Sequence, residues 1–271
     1  MKFIRKLLDF YLKSSLHVAL ALTAMGFISL RELTSNNHYV LLPQLFFLGI
    51  VAYNFVKYIP FILKNNKSFS KKLKIIILTS CFLSCYLLFY FTSAPVKEKQ
   101  ILSLTILLTL AYTFPILPYK SSLRQLIGIK TVSVALCWTL ISVILPIIHT
   151  KISLNLNVYT AITQRFLLVF VLILPFDIQD IKESESGNIP KKIGILNTKR
   201  LGTFILTLYT FLFYFRTYPS PIWYWVNLSI VLLTAILLWL TPAKSKHQLH
   251  STFLVESIPI VYGLWIFFFS N

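Results

Sequence analysis

Acidic residues are scarce in this chain of 271 residues: eight Asp and Glu stand against 26 Lys and Arg, and charges of both signs fill only 13% of positions. A soluble domain carries about twice that share, roughly 25%. With 56% hydrophobic residues and a mean hydropathy of +0.74, the chain cannot cover its apolar mass with polar surface, so it reads as an integral membrane protein. Glycine, with seven residues, is too rare for a phosphate-cradling nucleotide loop. Cysteine is limited to Cys81, Cys85 and Cys137, all inside apolar stretches. An odd count with no second ligand set gives neither a disulfide framework nor a zinc site. No basic patch carries base-stacking aromatics, which excludes nucleic acid as a partner. Alternating strand patterns are missing too, and a barrel is thereby excluded.

What the chain does have is apolar runs of membrane length, for which about 20 residues suffice. Nine are present: Ser15–Leu30, Tyr39–Leu63, Ile75–Thr92, Gln100–Pro118, Gly128–His149, Tyr159–Phe176, Leu201–Tyr218, Ile222–Thr241 and Thr252–Phe269. Lipid offers backbone groups no partner, so each run is expected to be a helix. The first follows Lys2, Arg5, Lys6 and Lys13 and is read as an uncleaved span rather than a secretory signal, since eight more runs follow. Alternate loops hold 19 and 5 Lys and Arg, with Lys57 and Arg165 inside spans and the span-end residues Lys130 and Arg216 counted in the adjoining loops. By the positive-inside rule this places the N-terminus in the cytoplasm and the C-terminus outside. Without a linker or low-complexity tract, residues 1–271 read as a single all-α, membrane-embedded domain in the cytoplasmic (inner) membrane.

Half of the acids gather in one place. The stretch Phe176–Gly194, FDIQDIKESESGNIPKKIG, holds Asp177, Asp180, Glu183 and Glu185 at the inner end of the sixth run. If that helix continues through FDIQDIKES, Asp177 and Asp180 lie one turn apart and their oxygens can converge on one ion. Carboxylates, phosphate oxygens and waters are the usual Mg²⁺ ligands. The same acids, followed by Lys182, Lys191 and Lys192, also suit a solvated loop with local ion pairs.

The topology and these residues resemble the UbiA superfamily of intramembrane prenyltransferases. The DxxD after the sixth span, then Gly187, Ile189-Pro190 and Lys192-Ile193-Gly194, is similar to that family's second aspartate motif. Tyr112-Thr-Phe-Pro, followed by Lys120 and Arg124, resembles its Tyr-Ser then Lys-Arg segment. The resemblance implies a UbiA-like bundle with its site on the cytoplasmic side. It also implies a prenyl diphosphate donor held by Mg²⁺ and a lipophilic, often aromatic, acceptor attacking the allylic carbon. Carried over by residue, Asp177 and Asp180 become catalytic, and Asp177, Asp180 and Glu183 become metal ligands. Asn54, Lys57, Tyr58, Tyr112, Lys120 and Arg124 become substrate-binding.

Two departures stand out. At the family's first motif this chain reads NFVKYIPFI: Asn54 is kept, but Phe55, Tyr58 and Ile62 stand where three acids belong. In the second motif Ser184 replaces the third acid. Lys57, an ammonium in the inner half of a span, needs an account. It contacts the diphosphate in place of a metal, pairs with Glu256 or Asp177, or snorkels to the interface. Arg165 lies about 18 Å up the helix from Asp177, where snorkelling or an acceptor contact would account for it. Two functions follow: a prenyltransferase that carries isoprenyl groups to a lipophilic acceptor, or a catalytically lapsed homologue that serves as a lipid-binding or complex-forming membrane subunit. A transporter would need Gly- or Pro-broken spans in a repeat, and Pro43, Pro60, Pro146 and Pro259 form none.

Overall fold

The computed structural model describes residues 2–34, 39–64, 70–115, 122–181, 188–242 and 250–269, and among these every regular element is a helix. In chain order they are α1 Lys2–Lys13, α2 Leu16–Leu33, α3 Leu41–Lys64, α4 Lys71–Ser93, α5 Val96–Thr113, α6 Ile129–His149, α7 Leu156–Gln179, the short α8 Ile189–Ile193, α9 Ile195–Phe211, α10 Ile222–Leu240 and α11 Ser251–Phe269. Seven of them, α2, α3, α4, α6, α7, α10 and α11, are long and apolar enough to cross a membrane. The two remaining apolar runs are helical as well. However, α5 opens on Lys97, Glu98 and Lys99, and α9 opens on a polar turn with Lys199 and Arg200 and has 17 residues. Helix α5 also stops short of the expected Pro118. Phe114 is extended, at φ −98° and ψ 148°, because the ring of Pro115 disfavours helical geometry in the residue before it.

Burial sorts the helices. Over their spans α6 and α7 are 67% and 61% buried, whereas α4 is 11% buried and turns Leu78, Phe82 and Phe89 outward. Thus α6 and α7 form the interior and α4 lies at the periphery. Helix α2 packs on α3 and α11, α6 on α7, and α9 on both α7 and α10. The α2/α3 contact is close: a Cβ added to Gly49 would stand 2.8 Å from the Ala19 Cα. Small residues of this kind let two backbones approach where lipid supplies no hydrophobic drive between helices.

Two widened π turns, Leu140–Ile144 and His250–Val255, each precede a proline, Pro146 and Pro259. A proline ring clashes with the carbonyl four residues earlier and donates no hydrogen bond to it, so a wider turn upstream relieves the conflict. In α11 the Phe253 carbonyl lies 3.1 Å from the His17 ring nitrogen, and the rings of His17 and Phe253 stack at 5.0 Å. The Tyr11 hydroxyl lies 2.8 Å from the other His17 nitrogen, which links the end of α1 to α11 through α2.

Candidate functional site

The end of the interior helices that carries Asp177 is assembled from three short pieces. Gly128, at φ +75°, turns the chain into α6 in a conformation that side chains with a Cβ rarely adopt, and this sets Lys130 and Thr131 in the first turn. Helix α7 arrives antiparallel and carries Asp177 in its last turn. Asn188 precedes α8. These side chains close on one another. Asp177 is fully buried; its Oδ1 accepts from Lys130 Nζ at 2.7 Å and its Oδ2 accepts from Thr131 Oγ1 at 3.0 Å. Lys130 Nζ also donates to Asn188 Oδ1 at 3.1 Å, and Asn188 Nδ2 reaches the Asp177 carbonyl at 3.4 Å. One ammonium meets one carboxylate, and Thr131 and Asn188 add a further hydrogen bond to each. That is the condition under which a buried ion pair is tolerated.

The remaining predicted residues divide into groups. Asp180 is the half-buried C-terminal cap of α7, its backbone N–H bonded to the Phe176 carbonyl at 2.9 Å. Tyr112 lies within electrostatic reach of Arg124, Asp177 and Asp180, which brings those four to one end of the bundle. Lys120 and Glu183, together with Glu185 and Ser184, fall outside the described residues. Among those that are described, no group of three or more His, Cys, Asp and Glu could hold a metal.

Asn54, Lys57 and Tyr58 are committed elsewhere. Buried Asn54 accepts from Ser15 Oγ at 2.8 Å and donates to Ser80 Oγ at 2.9 Å, tying α3 to the start of α2 and to α4. Tyr58 donates to the Lys13 carbonyl at 2.6 Å and Lys57 to the Leu12 carbonyl at 3.5 Å. Both therefore satisfy the exposed carbonyls at the C-terminus of α1, where a cation also suits the helix dipole. Lys57 feels the charge of Glu256 but stays exposed, and Asp177 is taken by Lys130 instead. Arg165 does not snorkel. It is 6% exposed and donates to the Met25 carbonyl at 2.7 Å and to Ser29 Oγ at 3.2 Å on α2.

The residues that sequence reasoning missed are Lys130, Thr131 and Asn188. A signal for Lys130 was present: a carboxylate at the inner end of the sixth run calls for a cation at equal depth, and Lys130 lies two residues past the start of the fifth. Compared with known proteins, the chain matches no family model, no curated protein and no solved structure.

Proposed function

We propose that this chain is a UbiA-like protein of the cytoplasmic membrane, with nine spans and the N-terminus inside. In this reading it serves as a lipid-binding or complex-forming subunit and does not carry out metal-dependent prenyl transfer. One observation carries the reading: the Lys130 ammonium sits 2.7 Å from the Asp177 carboxylate. The other oxygen is held by Thr131. Asp177 thus has its charge met by the protein itself, and Mg²⁺ would first have to displace a lysine. The first-motif positions Phe55, Tyr58 and Ile62 point the same way, since they offer no carboxylate for a second ion. With its anchoring acid already neutralised, the inner mouth is suited to an anionic lipid headgroup contacted by an exposed basic side chain such as Arg124.

Prenyl transfer is the second reading, favoured by the gathering of Tyr112, Arg124, Asp177 and Asp180 at one end. There Arg124 would meet the diphosphate of the donor and Tyr112 would line its path. Mg²⁺, if bound, would neutralise charge on the leaving diphosphate. Uptake of farnesyl diphosphate by the purified protein separates the two. The first reading predicts equal uptake in Mg²⁺ and in EDTA, with no release of diphosphate in the presence of lipophilic phenols. Uptake that requires Mg²⁺ and leads to diphosphate release, both lost in Asp180→Ala, would establish the second.

A further inference from the structure

Helix α1 is too short to cross a membrane and too amphipathic to be buried in one. Its 12 residues make a rod of about 18 Å, against a hydrocarbon core of roughly 30 Å. At about 100° per residue, the positions of Lys2, Arg5, Lys6, Asp9 and Lys13 fall within an arc of about 100°, and every other position from Phe3 to Leu12 is apolar or aromatic. A basic polar arc opposite a broad apolar face is the pattern of a helix that lies in the plane of a membrane surface.

The contacts of α1 place it across the ends of its neighbours rather than in line with α2. Ser15, between the two helices, has φ +60°, a left-handed conformation that breaks the helical path, and its hydroxyl is held by Asn54 of α3 at 2.8 Å. Past this corner the Leu12 and Lys13 carbonyls accept from Lys57 and Tyr58 of α3, and Asp9 bonds Lys72, the second residue of α4. Between Lys13 and Asp9, α1 therefore passes from the C-terminal part of α3 to the first turn of α4. Its apolar face is not used up there, since Leu7 remains 63% exposed.

The start of α4 continues the basic surface. It opens on the exposed Lys71, Lys72 and Lys74 with no acid in its first turn, although the N-terminus of a helix favours negative charge. Across α1 and this turn, seven cations stand against one carboxylate, Asp9, which Lys13 and Lys72 already share. An acidic protein would answer the cations alone. An anionic leaflet answers both faces at once, because its phosphates and its acyl boundary lie at adjacent depths.

We propose that α1 is a docking helix for anionic phospholipid, laid along the leaflet at the α3/α4 end with its Leu7 side at the acyl boundary and its basic arc, joined by the start of α4, on the lipid phosphates. This needs only that the bundle spans a membrane, and it is independent of what the Asp177 end binds. The full chain is placed in nanodiscs of phosphatidylcholine alone or with about a third phosphatidylglycerol, and amide exchange is followed by mass spectrometry. The amides of α1 should exchange about tenfold or more slowly in the anionic discs, while those of α6 and α7 keep one rate in both. Lys2→Gln/Arg5→Gln/Lys6→Gln, which spares the Asp9 tether, should lose the difference. Lys97→Gln/Lys151→Gln, which removes two exposed cations at the opposite end of the bundle, should keep it. Salt at about 1 M, where the screening length falls to about 3 Å, should shrink it. If the triple variant does not fold, the salt series and the opposite-end variant decide. Equal exchange of α1 in the two discs would overturn the proposal and leave the basic arc to an acidic protein. A difference that survives the triple variant or high salt, or that is lost in the opposite-end variant, would overturn it as well.

Discussion

A lysine ammonium 2.7 Å from a fully buried carboxylate is stable only while both charges are present, since removing either leaves the other unmet in an apolar interior. Lys130→Met and Asp177→Asn should therefore each destabilise the protein by about 3–5 kcal/mol. The Lys130→Met/Asp177→Asn double variant, which buries no ion, should recover much of that loss. Melting curves of the four proteins in one detergent form the cycle, and additive losses would show that the pair is not coupled. Sequence made Asp177 legible as an acid in need of a cation, because carboxylates are rare in spans. It did not supply the partner, because Lys130 lies near the start of a run and counts as a loop charge in any positive-inside sum. Arg216 escaped notice for the same reason at the other end. Arg165 was legible as a charge inside a span, but the carbonyl and hydroxyl that hold it come from Met25 and Ser29, some 140 residues earlier in the chain. Apolar periodicity carries no trace of such a contact.

Helix α1 is amphipathic and is tied down at its C-terminal end. Asp9 bonds Lys13 at 2.8 Å and Lys72 of α4 at 3.2 Å, and these two lysines, Lys13 foremost, hold its carboxyl below the ordinary carboxylate range. A carboxyl whose value is lowered in the folded state contributes stability above its unfolded pKa and loses it as pH falls through the folded one. The tether between α1 and α4 is thus in force at neutral pH and fades below about pH 4. Both partners are exposed, so the effect is small. Amide exchange in α1, corrected for intrinsic rates, should speed up between pH 6 and pH 3 in the wild type. Asp9→Asn should show the faster rate at both values. The α2/α3 contact gives a sharper test. Gly49→Ala places a methyl against the Ala19 backbone and should cost about 1–3 kcal/mol, read as a lower melting temperature. An unchanged melting temperature would mean that the two helices are not in contact at that point. The positions of the helices other than α1 and α8 were legible from apolar run length, and the ends were less so. Pro115 stops α5 early, and the π turns before Pro146 and Pro259 absorb conflicts that a hydropathy count does not register.

At the scale of the whole bundle, two polar sets sit at opposite ends of α7, joined by an apolar interior that includes Leu168, Val171 and Leu174. In one, the Asp177 carboxylate is met by Lys130 and Thr131; in the other, Arg165 and Arg216 are held by Met25, Ser29, Gln164 and Glu32. The most direct test counts ions at the Asp177 end. Mn²⁺, a paramagnetic stand-in for Mg²⁺, is titrated into the purified wild type, Lys130→Ala, and Lys130→Ala/Asp177→Asn, with bound ion read by electron paramagnetic resonance. The account predicts no tightly bound Mn²⁺ in the wild type, and an ion gained in Lys130→Ala that disappears when Asp177 is also replaced. A wild-type protein that binds Mn²⁺ tightly, and loses it in Asp177→Asn, would contradict the account.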